Sequence, residues 1–182
     1  MKIVYLGVTL GMLAACQSTS NIVPASVAPP PGPTTTTTTS TPTSSPSVSS
    51  TSTPDSVDRV AFAGLLNDSR LANGAGAVSF DARLANAAQG HADDMLANNF
   101  MGHTGSDGSS AGDRITAAGY NWRTYGENVA RGQESEEEVM TAWTNSPGHH
   151  ANNVNPNFED FGIAKAGSGN STRWVLLLGS EF

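Results

Sequence analysis

Hydrophobic and polar positions fall into three regimes along this chain. Residues 3–14 (IVYLGVTLGMLA) form an apolar run behind Met1-Lys2, of secretory h-region length and too short to span a membrane comfortably. Residues 17–54 contain no Asp, Glu, Lys or Arg and are mostly Thr, Ser and Pro, so they have almost nothing to bury. From Asp55 onward the pattern turns periodic. Val57, Val60, Ala61 and Leu65 recur at helical spacing, with Asp55 or Ser56 as N-cap and Gly74 past the end, which predicts a first helix over residues 55–73. The apolar patch Val78-Ser79-Phe80 leads to Asp81 as a second N-cap, after which Leu84, Ala87, Ala88, His91 and Met95 share one helical face. A short third helix is predicted over 113–118, closed by Gly119. A fourth begins at Ser135, whose partner Glu138 completes an S-x-x-E capping box, and carries Val139, Met140 and Trp143 until Pro147 stops it.

The C-terminal segment changes period. Residues 161–166 and 172–178 flank the sequence GSGNS, which predicts an antiparallel hairpin. Residues 174–178 are apolar at both parities, so that strand is expected to be buried on both faces, with helices covering both sides of the sheet. The fold class that follows is α+β: helices on both faces of a small, largely antiparallel sheet. The folded domain is placed at residues 55–182, long enough for one good core without staples.

Charge and cysteine usage narrow the picture further. The chain carries −7 overall with His neutral, and all 16 acidic residues lie from Asp55 onward, which disfavours nucleic acid as a partner. No apolar run reaches the roughly 18 residues of a membrane-spanning helix. The single cysteine, Cys16, excludes an internal disulfide. It follows Leu13-Ala14-Ala15, and this end of the apolar run resembles the bacterial lipobox, where the cysteine is acylated and becomes the first residue after cleavage. The expectation is a lipoprotein signal peptide over 1–15, an acylated Cys16, and a tether over 16–54. Such a chain would sit in the bacterial cell envelope with the membrane as its partner, since acyl chains at about 0.8 kcal/mol per buried methylene anchor stably. Gln17 in place of Asp fits sorting to the outer membrane. At about 3.1 Å per residue the tether would reach on the order of 100 Å, and its Thr run is alternatively a site of O-glycosylation. Nothing in the pattern points to coiled-coil or repeat assembly, so a monomer is expected.

From about Val60 to Phe182 the sequence resembles the CAP superfamily, named for cysteine-rich secretory proteins, antigen 5 and pathogenesis-related 1, in its cysteine-free bacterial form. Ordered blocks carry the resemblance: Leu66-Asn67 with Arg70; Ala88-Gln89 with Met95; Phe100 with His103-Thr104 and Asp107-Gly108; Arg114 with Ala118-Gly119-Tyr120; Gly126-Glu127-Asn128-Val129-Ala130; and VMTAWTNSPGH at 139–149, running through Ala151-Asn152 to Phe161-Gly162. The implied fold is a three-layer α-β-α sandwich, in agreement with the architecture read from the pattern. The resemblance further implies an open cavity lined by two histidines and usually two glutamates. Those positions are His103, Glu127 and His149, while the second glutamate falls at Ser146. Asn128 and Ser146 would flank the ligand cavity. His150 stands where Arg is common, and Asn153 where an apolar residue is usual.

Two neutral imidazoles and a carboxylate suit zinc, with an open position for water or substrate. The other reading is a polar cavity without metal. Glu127 and Asn128 could equally serve a Gly-rich turn. His91 rides an apolar face and reads as structural. The acidic cluster at Glu134 and 136–138 reads as helix solvation rather than a calcium site. Trp122 and Tyr125 read as core rather than a stacking platform. The resulting functional expectation is an envelope-anchored, non-enzymatic domain whose His/Glu cavity binds a small apolar or cell-wall ligand. Its rivals are a metal-dependent hydrolase of peptides or peptidoglycan, and a structural or adhesion module.

Overall fold

The structure, a computed structural model, describes residues 56–182; the apolar leader, Cys16 and the tether lie outside the described residues. The first helix, α1 (Arg59–Ala72), starts later than the pattern suggests. Asp58 caps it by accepting the backbone N–H groups of Val60 and Ala61. Its buried stripe is Phe62, Leu66 and Arg70, whereas Val60 is 85% exposed. An alanine-rich helix offers more than one apolar stripe, and the one carrying Phe62 removes more surface from water.

The short strand β1 (Ser79–Phe80) precedes α2 (Ala82–Ala97), capped by Asp81. Here the periodicity holds throughout, with Leu84, Ala87, Ala88, His91 and Met95 all buried. Helix α3 (Ala111–Ala117) begins with a full capping box between Ser110 and Asp113, and Gly119 at φ +86° turns the chain out of it. Ser135 caps α4 (Glu136–Thr144) by accepting Glu138 N–H, but the Glu138 carboxylate reaches back to Glu134 N–H rather than to Ser135.

Two of the elements that pattern reading misses shape the site. The first is β2 (Trp122–Arg131), whose Gly-Glu-Asn centre reads as a turn and is instead continuous strand, with Glu127 opposite Leu177. Gly126 is needed there for close approach: an added Cβ would meet the Phe158 ring at 2.9 Å. The second is α5 (Pro147–Asn153). Pro147 stops α4 as expected, yet it also occupies the first turn of a new helix, where its missing N–H is harmless.

The predicted hairpin is present as β3 (Asp160–Ala166) and β4 (Arg173–Glu181). The sheet order is β1-β3-β4-β2, antiparallel except for the β1–β3 pair. Strand β4 is central and buried on both faces. Trp174, Leu176 and Leu178 pack with Phe62, Leu66, Val139 and Trp143 of α1 and α4. Val175 and Leu177 pack with Leu84, Ala88, Met95 and Ile115 of α2 and α3. The result is the expected α+β sandwich: one helical layer, a sheet, and a second helical layer.

The second interface is close enough to constrain one residue absolutely. A Cβ at Gly162 of β3 would lie 2.2 Å from the backbone nitrogen of Ala85 in α2. Neither partner can yield, because both are main chain. Gly162→Ala is therefore expected to lower stability by about 3 kcal/mol or more, measured by chemical denaturation, whereas Gly64→Ala on α1, which meets nothing within 4 Å, is expected to be neutral or slightly stabilising.

Candidate functional site

The site assembles at the free edge of β2. Alternation along this strand sends neighbouring side chains to opposite layers. Glu127 shares its register with Leu177, on the α2/α3 side, and Asn128 shares its register with Leu176, on the α1/α4 side. These two adjacent residues therefore organise two different halves of the site.

On the first side, the Glu127 side chain is only 3% exposed, and both carboxylate oxygens are engaged. His103 Nδ1–H donates to Oε1 at 2.8 Å, and Arg114 Nη2 donates to Oε2 at 2.8 Å. Burying a carboxylate requires this degree of compensation. Arg114 also bonds the carbonyls of Ser109 (2.9 Å) and His103 (3.1 Å), so one guanidinium joins α3, the preceding loop and β2. The His103 ring is 62% exposed. With Nδ1 held by Glu127, it presents Nε2 outward.

The loop bearing His103 is held from behind as well. His91 of α2 donates from Nε2 to Gly102 O at 2.8 Å, immediately before His103. Arg173, at the start of β4, donates to Phe100 O (3.1 Å) and to Asn99 Oδ1 (3.3 Å). His91 is fully buried, as a structural histidine should be, but what it holds in place is the approach to His103.

On the second side, Asn128 is fully buried. Its amide donates to His149 O (3.0 Å) and Asn153 Oδ1 (2.8 Å) and accepts from Asn152 (2.8 Å). Asn152 returns a bond to Glu127 O at 3.2 Å. Three side-chain amides thus hold α5 against β2 and fix where His149 stands. Asn128 contacts α5 rather than open space, and Asn153, at 0% exposure, belongs to this network. His149 Nδ1 shares a hydrogen bond with Ser146 Oγ at 2.9 Å. Burial, and secondarily the proximity of His103, lowers the pKa of His149. His103 thus hangs from the α2/α3 side through Glu127, and His149 from the α5 side, where Asn128 holds its backbone.

Glu127, as placed, faces His103 and Arg114, and each of its oxygens accepts one hydrogen bond. Among the described residues, no group of three His, Cys, Asp or Glu is clustered so as to hold a metal ion. Trp122 and Tyr125 form an edge-to-face pair at 4.7 Å, and Trp122 Nε1 donates to Thr116 Oγ1, which packs α3 onto β2. Glu136 and Glu138 accept from Asp58 N–H and Glu134 N–H and act as caps. Cys16 lies outside the described residues.

A family model described as CAP, the cysteine-rich secretory protein family, matches residues 63–178 and so spans the whole site. The chain belongs to the CAP family. Over 123 residues this CAP domain is 35% identical to the uncharacterized protein YkwD of Bacillus subtilis (strain 168), covering 66% of this chain and 48% of the relative. The chain thus spans about half the length of that relative. Its fold is that of an extracellular protein containing a SCP domain from Bacillus anthracis str. Ames, with TM-score 0.63, 24% identity, and coverage of 67% of this chain and 40% of that one. An outer surface protein from Borrelia burgdorferi gives TM-score 0.63 at 21% identity, over 70% of this chain and 98% of that one.

Arg114 and the Asn152–Asn153 pair are the site residues that sequence reasoning did not assign. Arg114 did stand in a quoted motif block, but nothing in spacing aims it at Glu127. The lowered pKa of His149 has a checkable consequence. The unfolded chain binds the proton more readily than the folded one, so His149 contributes instability that grows as pH falls below about 6.5. In an NMR titration His149 should titrate below that value and move upward in His103→Ala, which removes a neighbouring positive charge.

Proposed function

We propose that this CAP domain is an envelope-tethered, non-enzymatic binding module whose polar cavity at the β2 edge, formed by His103, Glu127 and His149 with Ser146 at its rim, takes a small apolar or cell-wall ligand. One observation carries the reading: a carboxylate buried to 3% exposure is held by two partners behind an imidazole that is itself 62% exposed. Burying charge behind an accessible donor–acceptor group is the pattern of a recognition site more than of a packing core.

Several features support placement outside the cytoplasm. The expected lipobox at Cys16 and the uncharged tether suit a domain held away from a membrane. Fold neighbours are described as an extracellular protein and an outer surface protein. Among the described residues no helix is long and apolar enough to cross a membrane. Ser146 and His149 alone make a poor catalytic pair, because among the described residues His149 Nδ1 bonds Ser146 itself rather than an acid, and Ser146 is a half-exposed residue on a helix cap.

Binding should be tested by imidazole NMR and calorimetry with two probes, a soluble muropeptide and palmitate. Saturable binding of one of them, with shifts at His103 and His149 and an affinity lowered about tenfold or more in His103→Ala, is the expected result. Hydrolysis of the muropeptide that disappears in Glu127→Gln would replace this reading with a hydrolase. Failure of both probes to bind would favour a structural module.

A further inference from the structure

We propose that Arg114 is the resident cation of the CAP cavity in this chain, so that the His103–Glu127–His149 constellation works without a divalent metal. The argument begins with the carboxylate. Glu127 is the only negatively charged member of the set, and its two oxygens accept from His103 and from Arg114 at 2.8 Å each. A guanidinium stays charged at any relevant pH. The charge that would attract a metal is therefore already matched inside the protein.

Arg114 is not a mobile arm that could step aside. Its side chain is 11% exposed, and it donates to Ser109 O, His103 O and Glu127 together. Releasing Glu127 would leave a buried guanidinium partly unpaired, a loss of the kind that breaking a buried ion pair entails. A dication brought against Glu127 would also face Arg114 across a single carboxylate.

The remaining donors do not make up the deficit. His149 Nδ1 is bonded to Ser146 and His103 Nδ1 to Glu127, which leaves two imidazole Nε2 atoms. Ser146 brings a hydroxyl where a second carboxylate would supply charge. Zinc centres use three or four protein ligands, and a carboxylate behind a ligating histidine normally strengthens it. Here Glu127 keeps its bond to His103 but shares its charge with the guanidinium, which weakens that support.

This inference rests on the same cavity as the proposed function but fails separately from it, because the probe is zinc alone. Equilibrium dialysis of the full chain with elemental analysis should find no stoichiometric zinc in the wild type. Arg114→Gln should bind zinc at least about tenfold more tightly, and Arg114→Gln with His103→Ala should lose that gain. Roughly one zinc per wild-type chain, lost in His103→Ala with His149→Ala, would overturn the proposal. So would an Arg114→Gln variant that binds no better than wild type. If Arg114→Gln does not fold, the wild-type imidazole NMR spectrum decides. Resonances of His103 and His149 unmoved by excess zinc support the inference, and shifts saturating near one equivalent overturn it. Muropeptide or palmitate binding is unaffected by either result.

Discussion

A carboxylate can leave water only where its oxygens meet donors in fixed positions, and the burial of Glu127 imposes that condition on three separate parts of the chain. The loop after α2 must deliver His103, the second turn of α3 must deliver Arg114, and β2 must run straight through a Gly-Glu-Asn sequence that has the composition of a turn. Each requirement removes freedom from a segment that would otherwise be ordinary connection. The exposed imidazole of His103 is the visible outcome.

Buried guanidinium groups perform related work elsewhere. Arg70 of α1 is fully buried and bonds the carbonyls of Gly76, Asn153, Asn155 and Phe158, so it closes the irregular chain that follows α5. Arg173 does the same for the chain that follows α2, through Phe100 O, Ser171 O and Asn99. Irregular backbone has carbonyls without helical or strand partners, and a planar fork of donors satisfies several at once. Two such forks fix the segments that enter the site from opposite sides of the sheet, one leading to His103 and the other leading away from His149.

The electrostatic character of the site follows. The described part of the chain is strongly acidic, yet the single carboxylate inside this site is balanced by Arg114, and the two histidines sit around a locally neutral pair. The hydrogen-bonding groups at this edge of the sheet are therefore the two imidazoles and the Ser146 hydroxyl, around a carboxylate whose charge is already matched.

Much of this fold was legible in the sequence. Helix α2 and the β3–β4 hairpin follow from periodicity, because burial on one helical face or on both faces of a strand is written directly in residue type. The capping residue Ser135 marked the start of α4, and α3 was placed to within two residues of its start. The motif blocks pointed to the family and brought out His103, Glu127 and His149. Other features were decided only by tertiary structure. Which apolar stripe of α1 turns inward depends on what packs against it, and Phe62 outweighed Val60. Strand β2 exists because β4 offers it a partner, and α5 because an amide network anchors it; both contradict their local composition. Sequence determined which groups are available for chemistry. Only the fold decided that Glu127 answers to Arg114, since a hydrogen bond between side chains on a short helix and an edge strand has no periodicity from which it could be read.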